Sequence, residues 1–251
     1  MKTKDHSNLE PKTFTIQKPF LWLSILVLLL YIGSIQMGFT ELDDTIFVQE
    51  FAVYNENVSN LLHSFKRGVF NEVNDTYYRP LLMNSFIVNY FFSETDIQGY
   101  HLFNILFHLL SVLLLYVFFK QMNLQRIDAF LLSALFAIHP VLAQAVVWIP
   151  GRNDTILAVF AFSFMIASCK YITKPSLLWI ALQFFALLAA LFTKETAVFV
   201  PFAFFILLLS RDGFLWKNKA NLMLYASWIA AIGIWFLIRS HATVKNDPLQ
   251  F

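Results

Sequence analysis

The chain has 251 residues, of which 58% are hydrophobic and 14% are charged, and its mean hydropathy is +0.61. Soluble domains carry about a quarter charged residues, so this composition excludes an ordinary soluble globular protein and indicates a membrane protein. The net charge of +2 is too small, and the basic residues too dispersed, for a nucleic-acid-binding protein. A single cysteine, Cys169, excludes an internal disulfide.

The N-terminal residues 1–18 are polar and contain four lysines. Lysine and arginine are enriched on the cytoplasmic side of membrane proteins, so this segment is predicted to be a cytoplasmic tail. The apolar run that follows, about residues 19–37, has no small-residue cleavage site after it, which favours an uncleaved membrane helix over a signal peptide. The long polar stretch 38–79 is then expected on the outer face.

Residues 80–92 are apolar but number only about thirteen, and Asn84, Ser85 and Asn89 interrupt them. A span needs about 20 residues, and Pro80 suits the first turn of a helix. The pattern therefore predicts an amphipathic helix on the outer membrane surface, within a first outer loop of residues 38–98. A short kinked span is the alternative, and it would reverse the sides of all later loops.

With a surface helix at 80–92, Lys120 and Arg126 fall in the cytoplasm, as the charge bias requires. Six further apolar runs are then predicted to span the membrane: 99–119, 128–139, 154–171, 176–192, 196–210 and 221–238. The expected fold class is an all-α polytopic bundle of about seven transmembrane helices in a module of residues 19–239. Residues 240–251 are expected to form an outer tail.

Asp43 and Asp44 follow the first apolar run directly, on the predicted outer face. A solvated helix exit explains such a pair, but a general base that deprotonates an acceptor hydroxyl explains it equally well. In the second case, one carboxylate acts as the catalytic base and the other orients either that carboxylate or the acceptor. Adjacent aspartates also attract divalent metals, but no third ligand lies at an obvious spacing. The pair is thus a weak signal for a divalent metal, which stays open as an alternative, and no cofactor is predicted.

Three cations, Arg79, Arg152 and Lys194, each lie singly beside an apolar segment of the predicted outer face. This position runs against the topological bias, and an anionic ligand such as a phosphate or pyrophosphate is one explanation. The other explanation is local, because each cation could extend to the membrane interface or pair with an acid. Lys194, for example, could pair with Glu195 or another outer acid. His139, before Pro140, is predicted to cap a helix or donate a hydrogen bond to substrate.

Several short sequence motifs follow one another in an order that is typical of one group of proteins. They are Asp43-Asp44, Tyr78-Arg79-Pro80-Leu81, Tyr100-His101-Leu102-Phe103-Asn104, Phe136-Ala137-Ile138-His139-Pro140, Gly151-Arg152-Asn153-Asp154 and Lys194-Glu195. In this order and spacing, over about residues 38–205, they resemble the membrane part of the tetratricopeptide-containing transmembrane O-mannosyltransferases. They also resemble bacterial proteins similar to dolichyl-phosphate-mannose-protein mannosyltransferases. Both groups belong to the GT-C superfamily of glycosyltransferases.

The resemblance implies a GT-C-like membrane module whose first outer loop holds an acidic catalytic residue. It implies a sugar donor on a polyprenyl phosphate and a hydroxyl acceptor on a protein or glycan, which attacks the anomeric carbon with inversion. By position, Asp43 becomes the catalytic acid, with Asp44 beside it. The substrate-binding residues implied in the same way are Tyr78, Arg79, His139, Arg152, Lys194 and Glu195.

Members of this family continue with more spans, and the animal ones add tetratricopeptide repeats, whereas no 34-residue repeat occurs here. The chain is therefore expected to be a fragment or a minimal module. Two other functions are carried as alternatives: a transporter or flippase of a lipid-linked anion, and a non-catalytic membrane scaffold. The expected location is a bacterial inner membrane with the site facing the periplasm, or a eukaryotic endoplasmic reticulum membrane with the site facing the lumen.

Overall fold

The computed structural model describes residues 16–40, 42–70, 77–212 and 219–244, and all regular structure within these ranges is helical. The helices are Pro19–Tyr31 (α1), Asp43–Thr45 (α2), Ala52–Glu56 (α3), Asn60–His63 (α4), Pro80–Ser93 (α5), Ile97–Gln121 (α6), Arg126–Ile138 (α7), Ala143–Val147 (α8), Arg152–Thr173 (α9), Leu177–Thr193 (α10), Phe199–Asp212 (α11) and Lys219–Val244 (α12). The predicted fold class, an all-α membrane helical bundle, is confirmed.

Four apolar helical segments are long enough to cross a bilayer: Pro19–Gln36, Ile97–Gln121, Ile149–Thr173 and Asn221–Ala242. The hydrocarbon core is about 30 Å thick and a helix rises about 1.5 Å per residue, so about 20 residues are needed. Two of these segments include a short 3₁₀ turn, Ile32–Gln36 after α1 and Ile149–Gly151 before α9. Their length and composition identify the chain as an integral membrane protein.

The predicted number of seven spans depends on three further apolar segments. Helix α7 is followed at Pro140 by the short segment Pro140–Val147, and the two are bent by 52°. Proline removes a backbone donor and restricts the residue before it, which explains a break at this point. The other two segments, Leu177–Thr193 and Glu195–Ser210, are shorter than a standard span. By length and composition the described residues therefore contain four spans, or five with the bent pair.

Helices α6 and α9 pack against each other in the middle of the bundle. Helices α1 and α7 pack on α6, whereas α10 packs on α9 and α12 packs on α10. The buried apolar side chains form one cluster between α1, α6 and α7 and a larger one among α9, α10, α11 and α12. The starts of α6 and α9 and the end of α10 lie at one end of the bundle, where hydrogen bonds connect them to the first outer loop.

The helix predicted at residues 80–92 is confirmed as α5, with Pro80 in its first turn. Its 14 residues extend about 21 Å, less than the thickness of the hydrocarbon core. One side of α5 packs on the short helices of the first outer loop, and the ring of Phe86 stacks on Phe47 at 4.7 Å. Its polar residue Asn84 also points into this loop, since the Ser64 hydroxyl donates to Asn84 Oδ1 at 2.7 Å. Its position on a membrane surface stays a prediction.

Candidate active site

The two candidate catalytic aspartates lie in different environments. The Oδ2 atom of Asp44 accepts hydrogen bonds from the backbone N–H and the hydroxyl of Thr40, at 2.9 and 2.8 Å. Asp44 is buried, and its Oδ1 atom accepts no hydrogen bond from the described residues. Asp43 is only partly buried. Asp44 is thus held in place by the chain that leaves α1, while Asp43 remains accessible.

Helix α2, which carries both aspartates, packs against the 3₁₀ turn Ile149–Gly151. This turn leads directly into α9 and therefore into Arg152. The two aspartates and the start of α9 therefore lie in neighbouring segments, and their membership of one catalytic site stays a prediction.

Arg152 is fully buried and is surrounded by a set of contacts that we call the arginine hub, formed by Arg152, Asn104, Tyr100, Ser85 and Phe86. Its Nε donates to Asn104 Oδ1 at 2.8 Å and its Nη2 to the Tyr100 carbonyl at 3.0 Å. Its Nη1 lies 3.5 Å from the Ser85 carbonyl, and its guanidinium lies 4.4 Å above the centre of the Phe86 ring. Its donors are therefore directed at protein groups, and the predicted contact of Arg152 with a substrate phosphate stays a prediction.

Asn104 connects this hub to the segment before α9. Its Nδ2 lies 3.1, 3.0 and 3.3 Å from the carbonyl oxygens of Val146, Trp148 and Ile149. Val146 belongs to the end of α8, and Trp148 and Ile149 lie in the short segment that connects α8 to α9. One asparagine therefore fixes both the guanidinium of Arg152 and the path of the chain that leads to it.

His101 is a buried residue of the site that was not predicted. It is 2% exposed, and it interacts with the backbone of Met37 and Val147 and lies within electrostatic reach of both Asp44 and Arg152. The signal for it exists in the sequence. His101, Asn104 and His108 recur at helical spacing on one face of an otherwise apolar span, and polar residues within a span usually face the protein interior.

The residues Tyr78, Arg79 and Glu195, which the resemblance grouped as substrate-binding, come together in the structure. Arg79 Nη2 and Nε lie 2.9 and 3.1 Å from Glu195 Oε2, and the guanidinium lies 4.6 Å from the Tyr77 ring centre. The backbone N–H of Tyr78 donates to Glu195 Oε1 at 3.3 Å. The Tyr78 hydroxyl donates to the Phe65 carbonyl at 2.9 Å, and burial raises the pKa of this hydroxyl. Arg79 is thus ion-paired within the protein.

Lys194 also forms an ion pair, but with Asp154 at the start of α9 and not with the adjacent Glu195. The two side chains are 22% and 46% exposed, respectively. His139 is exposed, and its Nδ1 accepts a hydrogen bond from the Val141 N–H at 3.3 Å. It therefore caps the short helical turn that begins at Pro140, one of the two roles predicted for it, while its contact with substrate stays a prediction.

A cavity of about 340 Å³ opens beside this ion pair. Residues of the segment 141–154 and Lys194 line it, among them Gln144, Trp148, Gly151 and Asn153. Among the residues that the structure describes, no three His, Cys, Asp or Glu side chains come together as a metal site.

Comparisons with known proteins give relatives of one type. A protein O-mannosyl-transferase of Caenorhabditis elegans, F38B6.6, is 37% identical over 97 residues, which is 37% of this chain and 14% of that protein. Human TMTC3 is 34% identical over 130 residues, covering 49% and 14%. Tmtc1 of Drosophila melanogaster is 30% identical over 121 residues, covering 48% and 14%. Both are likewise named protein O-mannosyl-transferases.

No family model and no solved structure matches the chain. The matches to the three relatives span about 14% of the length of each of them. The resemblance to transmembrane O-mannosyltransferases that the sequence predicted is confirmed for about half of the chain.

Proposed function

We propose that this chain carries the membrane-embedded catalytic part of a glycosyltransferase. It transfers a hexose such as mannose from a polyprenyl-phosphate donor to a hydroxyl group of a protein or glycan. The reaction takes place at the extracytoplasmic face and inverts the anomeric carbon. The names of the relatives support the reaction type, and the length of the apolar helices supports the location in a membrane.

The observation that carries the proposal is the different environment of Asp43 and Asp44. Asp44 is buried and bonded twice to Thr40, so it is suited to position the short helix α2. Asp43 precedes it by one residue and remains partly exposed, so an acceptor hydroxyl can approach it. This division supports Asp43 as the general base and Asp44 as the positioning residue.

The reaction needs one proton acceptor and one site of positive charge. As the acceptor oxygen forms its bond to the anomeric carbon, Asp43 takes the hydroxyl proton. The bond between the anomeric carbon and the phosphate oxygen breaks, and the polyprenyl phosphate leaves with the electron pair. Cations that face the leaving phosphate stabilise its growing charge.

Arg79 and Lys194 are the partly exposed cations suited to this role, and each is paired with a carboxylate in the structure. A donor phosphate can take the place of Glu195 or Asp154, because phosphate and carboxylate oxygens accept the same charge-assisted hydrogen bonds. Each acid then keeps its cation in position until the donor binds.

The test is transfer of labelled hexose from a polyprenyl-phosphate donor by the full-length protein in membranes. Asp43→Asn is expected to lower the transfer rate about a hundredfold or more while donor binding is unchanged, because a base acts in the transition state. The matched control is Asp96→Asn. Asp96 is an exposed acid of the same loop that caps α6, and asparagine caps equally well.

Two results would contradict the proposal. If Asp43→Asn and Asp44→Asn both keep near-normal transfer, the first outer loop does not contain the catalytic base. If the wild-type protein moves the lipid-linked sugar across the bilayer but forms no transfer product, the transport alternative is correct.

A further inference from the structure

The cavity beside Lys194 contains unused hydrogen-bonding groups. Trp148 Nε1 and Asn153 Oδ1 belong to residues that line it, and both atoms are buried without a hydrogen-bond partner in the described part of the chain. A buried polar group without a partner costs free energy. One of these groups donates and the other accepts, so their shared position at one cavity indicates a ligand that offers both kinds of group.

The size of the cavity limits what that ligand can be. Its volume of about 340 Å³ lies at the small end of the range of ligand pockets, so it suits a single sugar ring and not a polyprenyl chain. A sugar hydroxyl both donates and accepts, which matches the indole N–H and the amide oxygen. The flat indole ring also provides an apolar surface for the C–H groups of the sugar.

The wall of the cavity is closely packed at Gly151. A Cβ atom at this position would lie 2.6 Å from the Gln144 carbonyl oxygen and 3.1 Å from Ala145 Cα. No real side chain tolerates such a contact with backbone atoms, so the turn Ile149–Gly151 fits against α8 only with glycine. This turn also contacts α2, which carries the aspartates, and Lys194 lies at the cavity. The cavity is therefore lined by one of the proposed phosphate-binding cations and by the turn that contacts the helix of the proposed base.

We infer that this cavity binds the hexose ring of the donor and that Trp148 and Asn153 determine which hexose is accepted. The inference rests on the proposed function and makes it more specific. Each residue forms one hydrogen bond with a sugar hydroxyl. Donors that differ in the orientation of that hydroxyl therefore bind with different affinities. A site built to pair with a hydroxyl discriminates against an analogue that leaves its polar groups unpaired.

Two substitutions remove the hydrogen bonds and leave the shape of the cavity nearly unchanged. Trp148→Phe removes the N–H and keeps an aromatic ring, and Asn153→Leu removes the amide and keeps a similar volume. The control is Trp235→Phe, because Trp235 Nε1 is also buried without a partner but belongs to α12, away from this cavity.

The measurement is the affinity of the purified full-length protein in nanodiscs for three lipids: mannosyl-phosphoryl-polyprenol, glucosyl-phosphoryl-polyprenol and polyprenyl phosphate without sugar. In the wild type we expect one hexose to bind more tightly than the other and than the sugar-free lipid. Trp148→Phe and Asn153→Leu should each lower this preference about five- to tenfold. Affinity for the sugar-free lipid should stay at the wild-type value, which also shows that the variants are folded.

The inference is overturned if both cavity variants keep the wild-type preference, or if the wild type does not distinguish sugar-bearing from sugar-free lipid. In either case the cavity does not recognise the hexose. Failure of the proposed function gives a different pattern. The preference is then present and is lost in the cavity variants, but no hexose is transferred to any acceptor.

Discussion

Two arginines at the same end of the bundle are stabilised in opposite ways. Arg152 is fully buried, and its described contacts are with an amide oxygen, backbone carbonyls and aromatic rings. Arg79 is 16% exposed and is paired with the carboxylate of Glu195. The first arginine is enclosed by neutral groups, whereas the second has an ionic partner, which under the proposed function the donor phosphate replaces.

The difference distinguishes an arginine that stabilises the fold from an arginine that is suited to bind an anion. A buried charge is expensive unless hydrogen bonds surround it, so the arginine hub must be complete for the start of α9 to pack. An ion pair near the surface contributes little to stability, but it keeps a cation in position for an anion. We therefore expect substitutions in the hub to act on folding and substitutions in the Arg79–Glu195 pair to act on donor affinity.

The largest effect on stability is expected for Arg152→Leu. It removes the hydrogen bonds to Asn104 and Tyr100 and leaves their oxygens buried without a donor, so the free energy of unfolding should fall by about 3 kcal/mol or more. Denaturant unfolding of the full-length protein in detergent micelles measures this change. Arg152→Lys is the matched variant, since it keeps the charge but lacks the planar fork.

Arg152→Lys should lie between the wild type and Arg152→Leu. Wild-type stability of Arg152→Leu, combined with lost donor binding, would instead place the guanidinium in the phosphate site, as the sequence first suggested.

The second effect concerns Asn104, the other centre of the hub. Asn104→Asp keeps an oxygen for Arg152 but loses the N–H groups directed at the carbonyls before α9. We expect the free energy of unfolding to fall by about 2 kcal/mol, since buried carbonyls lose their donor. Asn104→Leu, measured in the same unfolding experiment, loses both interactions and should be less stable. If Asn104→Asp is as stable as the wild type, the amide does not hold the 146–149 segment.

The long helices were predictable because hydrophobic length is a local property. The predicted spans 19–37, 99–119 and 154–171 correspond closely to the helical segments Pro19–Gln36, Ile97–Gln121 and Ile149–Thr173. Helix α5 and the break at Pro140 were predictable for the same reason, since proline acts on its immediate neighbours. The short helices α2, α3 and α4 were not, because helices of this length are unstable alone and form here by packing on α5 and its surroundings.

The partners of the site residues were not predictable, because they join distant parts of the chain. Arg79 pairs with Glu195 across 116 positions, and Arg152 bonds Asn104 across 48. The sequence allowed Lys194 to pair with Glu195 or with another outer acid, and the second possibility is correct. Lys194 is extended and Glu195 begins a helical turn, so the two side chains bind different partners, Asp154 and Arg79.

The third prediction uses the Arg79–Glu195 pair. Arg79→Gln should weaken donor binding about tenfold, because it removes one charge-assisted contact to phosphate. Glu195→Gln should strengthen it severalfold, because it removes the anion that competes with the phosphate for Arg79. Donor affinity of the full-length protein in nanodiscs measures both. Weaker binding in Glu195→Gln would show that Glu195 positions Arg79 and does not exchange with the ligand.

The coupling free energy between Arg79 and Glu195 in unfolding should be only about 1 kcal/mol, since both side chains remain partly exposed.

The smallest effect is expected at the Lys194–Asp154 pair, where Asp154 is 46% exposed. A double-mutant cycle with Lys194→Gln and Asp154→Asn should give a coupling in unfolding of about 0.5 kcal/mol or less at low salt, and none at high salt, because water and ions screen exposed charges. The destabilisation of Arg152→Leu should be the same at both salt concentrations, because the hub is buried and its described contacts are with neutral groups. A Lys194–Asp154 coupling that is independent of salt would mean that this pair is shielded like the hub. It would then be part of the architecture and not a cation site from which a phosphate can displace the acid.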